Sequence, residues 1–232
     1  MSEKITLYHG STFVIKEPIF GEGNAKNDYG HGFYCTESLE LAKEWACSVE
    51  SDGFANQYIL ELNRLSLLDL SDEKYHILNW LAILLENRTF RIGSDLAIRA
   101  KEYIREHFLI NYEKYDVIKG YRADDSYFSF AAAFLNNTIS LAQLEKAMYL
   151  GKLGEQFVLK SKKAFKQLIF VESMMADRTF YYPQKMTRDN LIREEFRKEK
   201  EKLSVEQETY IMDIIRERWE NDDARLQRIV LR

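Results

Sequence analysis

The stretch from Lys4 to His9 alternates strictly, with Ile5, Leu7 and His9 on one face, and runs straight into Gly10. Period-two alternation specifies a half-buried strand. His9 is thereby delivered to the strand end, beside a residue with no Cβ to obstruct an approaching ligand. A second glycine-punctuated stretch, Asp28-Tyr29-Gly30-His31-Gly32-Phe33-Tyr34-Cys35-Thr36, sets two aromatics on a short extended run and then opens a helix. Thr36 is placed to cap that helix, Leu39 to Trp45 carry its period, and Glu37 and Glu40 lie at the positive end of its dipole. A chain that opens this way brings a His-Gly and a Gly-x-Tyr to the edges of one cleft. Each residue also has a plain structural reading, His9 as a satisfied strand-end histidine and Tyr34 as a core aromatic. Between the two stretches, Ile15 to Asn27 is a loop rich in Gly and Asn with Phe20 as its exposed hydrophobe, a lid or a plain connection beside the cleft.

Composition limits what the rest can be. The chain has 232 residues, 46% apolar and 13% aromatic, enough for one large domain with a sizeable core. Pro18 and Pro183 are its two prolines, which argues against long unstructured linkers. A net charge of -4 gives no global attraction to nucleic acid. Cys35 and Cys47 make no disulfide framework and share no metal-ligand spacing with the four histidines, so no metal is expected. Met1 to Lys4 leads directly into a strand with neither a signal peptide nor a long apolar span; the expectation is a cytoplasmic protein with no membrane partner.

Further along, Gln57 to Leu62 reads as a strand that Leu67 to Leu70 continues after a break. Residues 71 to 110 read as helical throughout, capped by Ser71-Asp72, with Tyr75, Leu78, Trp80, Leu81, Leu84 and Leu85 as an apolar stripe. A second helix follows Gly93-Ser94, with Leu96, Ile98, Tyr103, Ile104 and Phe108 at helical spacing. His76 and His107 fall on these helices without a partner motif and read as structural. Tyr115 to Gly120 is a strand, and Arg122, Asp124 and Asp125 follow at a strand-to-helix junction, where capping and cleft-facing roles are both open. Ser140 caps a helix over Leu141 to Tyr149, with Glu145 too far along for a capping box. Gly151 to Gly154 turns the chain into a strand at Phe157 to Lys160, and Gln167 to Glu172 forms another. Glu155 and Gln156 must point to opposite faces, so one of them lines a cleft, and alternation alone does not choose.

From Met174 the character changes. Asp189 to Leu203 is dense in Arg, Glu and Lys, and Tyr210, Ile211, Ile214, Ile215 and Trp219 keep a helical period. The expected organisation is therefore a domain over 1–177 with a helical insertion at about 71–110, and a charged helical extension over 178–232. That extension either docks on its own domain or offers the Ile211, Ile214, Ile215 and Trp219 stripe to a partner.

The order Tyr8-His9-Gly10-Ser11, then Asp28 to Thr36 with Ala42-x-x-Trp45-Ala46, then Gln156-x-Val158-x-Lys160-Ser161-x-Lys163-Ala164, resembles a bacterial toxin-like ADP-ribosyltransferase family of the diphtheria toxin and poly-ADP-ribose polymerase-like superfamily. The resemblance covers about residues 4 to 172 and rests on order and spacing together. It implies an α+β fold: a split mixed β-sheet with flanking helices and an NAD cleft between the halves, here with a C-terminal helical extension.

The resemblance also implies roles. His9 would bond the adenosine ribose, the Gly10 backbone would hold the nicotinamide amide with Ser11 beside it, and Tyr34 would stack on the nicotinamide ring with Phe33 closing the pocket. The third position usually holds a glutamate that stabilises an oxocarbenium-like ribose; this chain has Gln156 there, preceded by Glu155. A neutral amide holds a hydroxyl but brings no charge to a developing cation. On that ground Gln156→Glu is expected to keep or raise NAD hydrolysis. Arg122, Asp124 and Asp125 would orient the acceptor or the nicotinamide ribose. NAD enters as substrate. The implied activity is transfer of ADP-ribose to a macromolecular acceptor, protein or nucleic acid, by the toxin of a toxin-antitoxin or phage-defence locus with a small antitoxin protein as partner. The other classes are a non-catalytic NAD or ADP-ribose binding module and a partner-binding interaction protein.

Overall fold

The computed structural model describes residues 3–89, 92–123, 125–148, 154–201 and 208–226, the side chains at 125, 126, 148, 199 and 200 excepted. Its strands are β1 (Lys4–Ser11), β2 (Phe33–Cys35), β3 (Gly53–Glu61), β4 (Leu67–Asp69), β5 (Val117–Tyr121), β6 (Glu155–Leu159) and β7 (Leu168–Ala176). The helices are α1 (Leu39–Ala46), α2 (Ile77–Asn87), α3 (Asp95–Phe108), α4 (Asp125–Leu135), α5 (Leu141–Met148), α6 (Lys162–Lys166), α7 (Arg178–Glu201) and α8 (Ile211–Arg216). The result is a mixed α+β architecture with two sheets.

One sheet has the order β1-β3-β7 and the other β2-β6-β5-β4. All pairings are antiparallel except β4 with β5. Leu67 to Leu70 therefore does not continue the strand before it. It crosses to the other sheet, because a parallel partner at Val117 to Lys119 needs a long connection rather than a hairpin. Among the described residues, one bridge joins the sheets: Tyr8 N–H donates to Thr36 O at 2.7 Å and Thr36 N–H to Tyr8 O at 2.9 Å.

Alternation sorts the layers. Leu7, Tyr58 and Leu60 from the first sheet meet Phe33, Phe157 and Leu159 from the second in one buried cluster. The opposite face of the second sheet, with Leu68, Ile118 and Val158, packs against Trp80, Leu81 and Leu84 of α2 and Phe130 and Phe134 of α4. Helix α1 covers the outer face of the first sheet, where Ala46 and Cys47 meet Ala176.

Local chemistry moves several helix starts. Ser38, not Thr36, caps α1, its Oγ accepting from Leu41 N–H, while Thr36 Oγ1 accepts from Ser38 N–H. The second helix of the 71–110 region starts where expected, with Ser94 as its cap, while the first begins not after Ser71-Asp72 but only at Ile77, where Asn79 Oδ1 accepts from the His76 N–H. Ser140 does cap α5, and a reciprocal box is present after all. Gln143 Oε1 takes the Ser140 N–H while Ser140 Oγ takes that of Gln143.

The segment after residue 177 docks on its own protein. Ile192, Ile211, Ile214 and Trp219 belong to the same buried cluster as Trp80 and Phe130. Helix α7 is also tied to α1 by a bidentate pair, Arg188 Nη2 to Glu44 Oε1 at 2.6 Å and Nε to Oε2 at 3.1 Å. Among the described residues, no helix is long and apolar enough to cross a membrane.

Candidate functional site

His9, the last side chain of the β1 alternation, stacks on Phe33 with ring centroids 4.3 Å apart. Its Nδ1 lies 2.7 Å from the carbonyl oxygen of Tyr34. A carbonyl only accepts, so Nδ1 carries the proton and Nε2 of the neutral ring is an acceptor. Burial holds the His9 pKa below the ordinary imidazole value and outweighs the opposing hydrogen bond.

Tyr34 is anchored by its tip. Its hydroxyl donates to Gly30 O at 2.6 Å and accepts from Tyr29 N–H at 3.1 Å, which fixes the ring while closing the 29–34 turn. That turn passes through Gly30 at φ +73, where a side chain would also collide with Asn87. Lys160 completes it by donating to Tyr29 O at 2.6 Å.

Gly10 has a different reason from the one its position suggests. A Cβ there would lie 2.1 Å from Ala42 O and 2.9 Å from Ala46 N, so the glycine admits the backbone of α1 rather than a ligand. Its polar groups point elsewhere. Tyr8 turns its N–H and C=O away from β3 to Thr36, and two-residue alternation sends those of Gly10 to the same edge. Ser11 is committed to structure, donating to Phe13 O and accepting from Asn56 Nδ2 at 2.9 Å.

Two cavities flank Tyr34. The larger, about 490 Å³, is lined by His9, Gly32, Phe33, Tyr34 and the loop from Phe13 to Asn27. That loop is pinned at its start: buried Asn56 takes the Ile15 N–H on Oδ1, and Tyr58 Oη donates to Ile15 O. At its far end Arg88 donates to Lys26 O at 2.8 Å. Phe20 is not its lone exposed hydrophobe, since Phe13 and Ile19 are more exposed.

The smaller cavity, about 200 Å³, is polar and is lined by Asp28, Tyr34, Trp45, Arg88, Arg122 and Gln156, among others. Gln156 is 3% exposed, and its Nε2 donates to Asp28 Oδ2 at 2.9 Å and to Tyr121 O at 3.2 Å. Asp28 also accepts from Ala123 N–H at 2.9 Å and pairs with Arg88 at 3.2 Å. Burial nonetheless lifts the Asp28 pKa above the usual carboxylate value. Arg122 lays its guanidinium on the Trp45 ring, 3.6 Å from the centroid. Glu155 faces the other way and pairs with Lys119 at 3.0 Å.

The structure thus brings His9, Phe33, Tyr34 and Gln156 together around the split, with Arg122 at its rim. Asp124 and the side chain of Asp125 lie outside the described residues, as does the turn from Gly151 to Lys152 and Leu153. Asp28, Trp45, Arg88 and Asn56 were not assigned to the site from sequence. Asp28 and Trp45 belong to the Asp28 to Thr36 and Ala42-x-x-Trp45-Ala46 motifs, and Asn56 is a polar residue inside an apolar alternation. Arg88 carried no local signal. His76 and His107 line neither cavity; they contact Asn221 and Glu220. Among the described residues no cluster of three or more His, Cys, Asp or Glu could hold a metal ion.

Fold and site define an α+β protein with an aromatic and amide-lined cleft where two sheets part. The chain belongs to the family described as Protein of unknown function (DUF3990), whose family model matches residues 5–170. No curated protein and no solved structure matches it.

Proposed function

We propose that this protein is an NAD-dependent ADP-ribosyltransferase of split-sheet architecture that moves ADP-ribose from NAD to a macromolecular acceptor, acting as the toxin of a toxin-antitoxin or phage-defence locus. The observation that carries the reading is the sharing of Tyr34 between the two cavities, with His9, whose Nε2 can accept a hydrogen bond, on one side and Gln156 on the other. NAD is a molecule of that outline. An adenosine ribose hydroxyl suits His9 Nε2, the nicotinamide ring suits the Tyr34 face, the carboxamide suits the Gly10 edge, and the second ribose suits Gln156.

In the reaction the bond between the nicotinamide nitrogen and the ribose anomeric carbon breaks. Its electron pair stays with the ring nitrogen and discharges the pyridinium. The acceptor lone pair forms the new bond, and the acceptor proton passes to solvent. No protein nucleophile is required, so positioning and electrostatics supply the acceleration. Arg122 at the rim is placed to orient the acceptor.

Incubation with NAD labelled separately in nicotinamide and adenine tests this. Release of nicotinamide with adenine label transferred to cell lysate is the expected result, and mass spectrometry of the labelled fraction identifies the acceptor. A second reading, an NAD or ADP-ribose binding module, is favoured by the neutral Gln156. Binding without any nicotinamide release in a single-turnover assay would select it. Burial of Ile211, Ile214 and Trp219 argues against their use as a partner-binding stripe.

A further inference from the structure

Gln156 is oriented by what lies behind it. Both partners of its Nε2, the Asp28 carboxylate and the Tyr121 carbonyl, only accept, so the two bonds fix the nitrogen on that side of the amide and leave Oε1 as the acceptor on the other. Asp28 is itself fixed, Oδ2 by Ala123 N–H and Oδ1 by Arg88. Among the described side chains lining this cavity, Asp28 is the one carboxylate.

We propose that Asp28 is a positioning residue for Gln156: it locks the amide with Oε1 toward the ribose and, through a charge-assisted hydrogen bond, gives that oxygen negative polarity that residue 156 does not carry alone. This deepens the NAD reading of the cleft and rests on it. A carboxylate behind an amide here does what a carboxylate does behind an imidazole, selecting one orientation and strengthening one acceptor. Gln156 neither gains nor loses a proton. Among the described residues, the groups facing Asp28 are Arg88 at the end of α2, Arg122 after β5, and the phenols of Tyr29 and Tyr34.

The arrangement reverses the expectation for Gln156→Glu. That change sets two carboxylates in contact and removes the donor to Tyr121 O. The pair then works only while it holds one proton. Like-charge repulsion raises its upper pKa, so activity is present below that value and lost as pH rises through it.

The experiment compares wild type, D28N, Q156E and D28N/Q156E for nicotinamide release across pH, with NAD binding by calorimetry and thermal melts as folding controls. D28N frees the amide to rotate and is expected to lower kcat at least tenfold with NAD affinity within threefold. Q156E is expected to gain a descending alkaline limb absent from wild type. The double variant, again one carboxylate and one amide, is expected to lose that limb and exceed Q156E at least tenfold above it. A folded D28N within threefold of wild type in kcat, or a Q156E profile without the limb, overturns the role of Asp28 while leaving NAD turnover by the wild type intact. If D28N does not fold, the Q156E profile decides. A wild type that neither binds nor cleaves NAD overturns the reading of the cleft, and the role of Asp28 with it.

Discussion

His9 Nδ1 donates across the split to the carbonyl of Tyr34, so the two motif side chains are locked together through one main-chain oxygen. This ties the protonation of His9 to ligand binding. The neutral ring is the form with an Nε2 acceptor, and burial holds its pKa below 6.5. NAD affinity is expected to be full at neutral pH and to fall as pH drops through the depressed value. The group also destabilises the fold in acid, because the unfolded chain binds the proton first: stability is complete above about 6.5 and declines below it. His9→Ala should bind NAD weakly at all pH values; calorimetry showing wild-type affinity in that variant would remove His9 from the site.

Tyr34 separates ring from hydroxyl. Tyr34→Phe keeps the stacking face but strands the Tyr29 N–H and Gly30 carbonyl of the turn, at a cost of about 1–3 kcal/mol in stability. Tyr34→Ala removes the face as well and should weaken NAD by about 0.5–1.5 kcal/mol beyond lost area. Unchanged NAD affinity in a folded Tyr34→Ala variant contradicts the stacking assignment.

How much of this was legible depends on the range of the contact. The β1 alternation, the turn before Tyr34 and the opposite facing of Glu155 and Gln156 are local, and the sequence states them through period and glycine placement. The reason for Gly10 is not local, since its neighbour is the backbone of α1, set down by tertiary packing. Asp28 reads as part of a loop until β6 lies beside it, and nothing near Leu67 announces that its partner is Val117 rather than the preceding strand. The C-terminal stripe suits a partner or its own core equally, because amphipathicity fixes a face and not its cover.

Gly10→Ala tests the helix contact. The added methyl meets main chain on α1, which cannot rotate aside as a side chain would. Overpacking of this kind costs about 1–3 kcal/mol or more. It also displaces Trp45, which lines the smaller cavity beneath Arg122, so the melting temperature and, on the proposed reading, nicotinamide release should fall together. A variant as stable as wild type would show that α1 sits further from β1.

The Arg188 and Glu44 pair makes a prediction about the extension. Glu44 is 2% exposed, so Arg188→Met leaves a buried carboxylate without its bidentate partner, at a cost of about 3–5 kcal/mol. Arg188→Met combined with Glu44→Leu should recover most of that loss, since removing both charges also removes the desolvation penalty. Chemical denaturation of the set measures it. Equal stability of the single and double variants would mean that α7 is not held to α1 by this pair.

The last prediction follows from strand alternation in β6. Glu155 is spent on Lys119 and is not among the cavity's lining residues, while Gln156 is buried and lines it. Glu155→Ala loses a half-exposed ion pair worth about 1 kcal/mol or less and should stay within a few-fold of wild type in nicotinamide release. Gln156→Ala leaves Asp28 and the Tyr121 carbonyl without their shared donor and, on the proposed reading, removes the acceptor for the ribose hydroxyl. It should abolish turnover, with a stability loss of about 1–3 kcal/mol that leaves the protein folded. Nicotinamide release and acceptor labelling are to be measured for both variants side by side with melts. An inactive Glu155→Ala beside a normal Gln156→Ala would mean that the reacting ribose lies on the opposite face of the sheet, against Lys119.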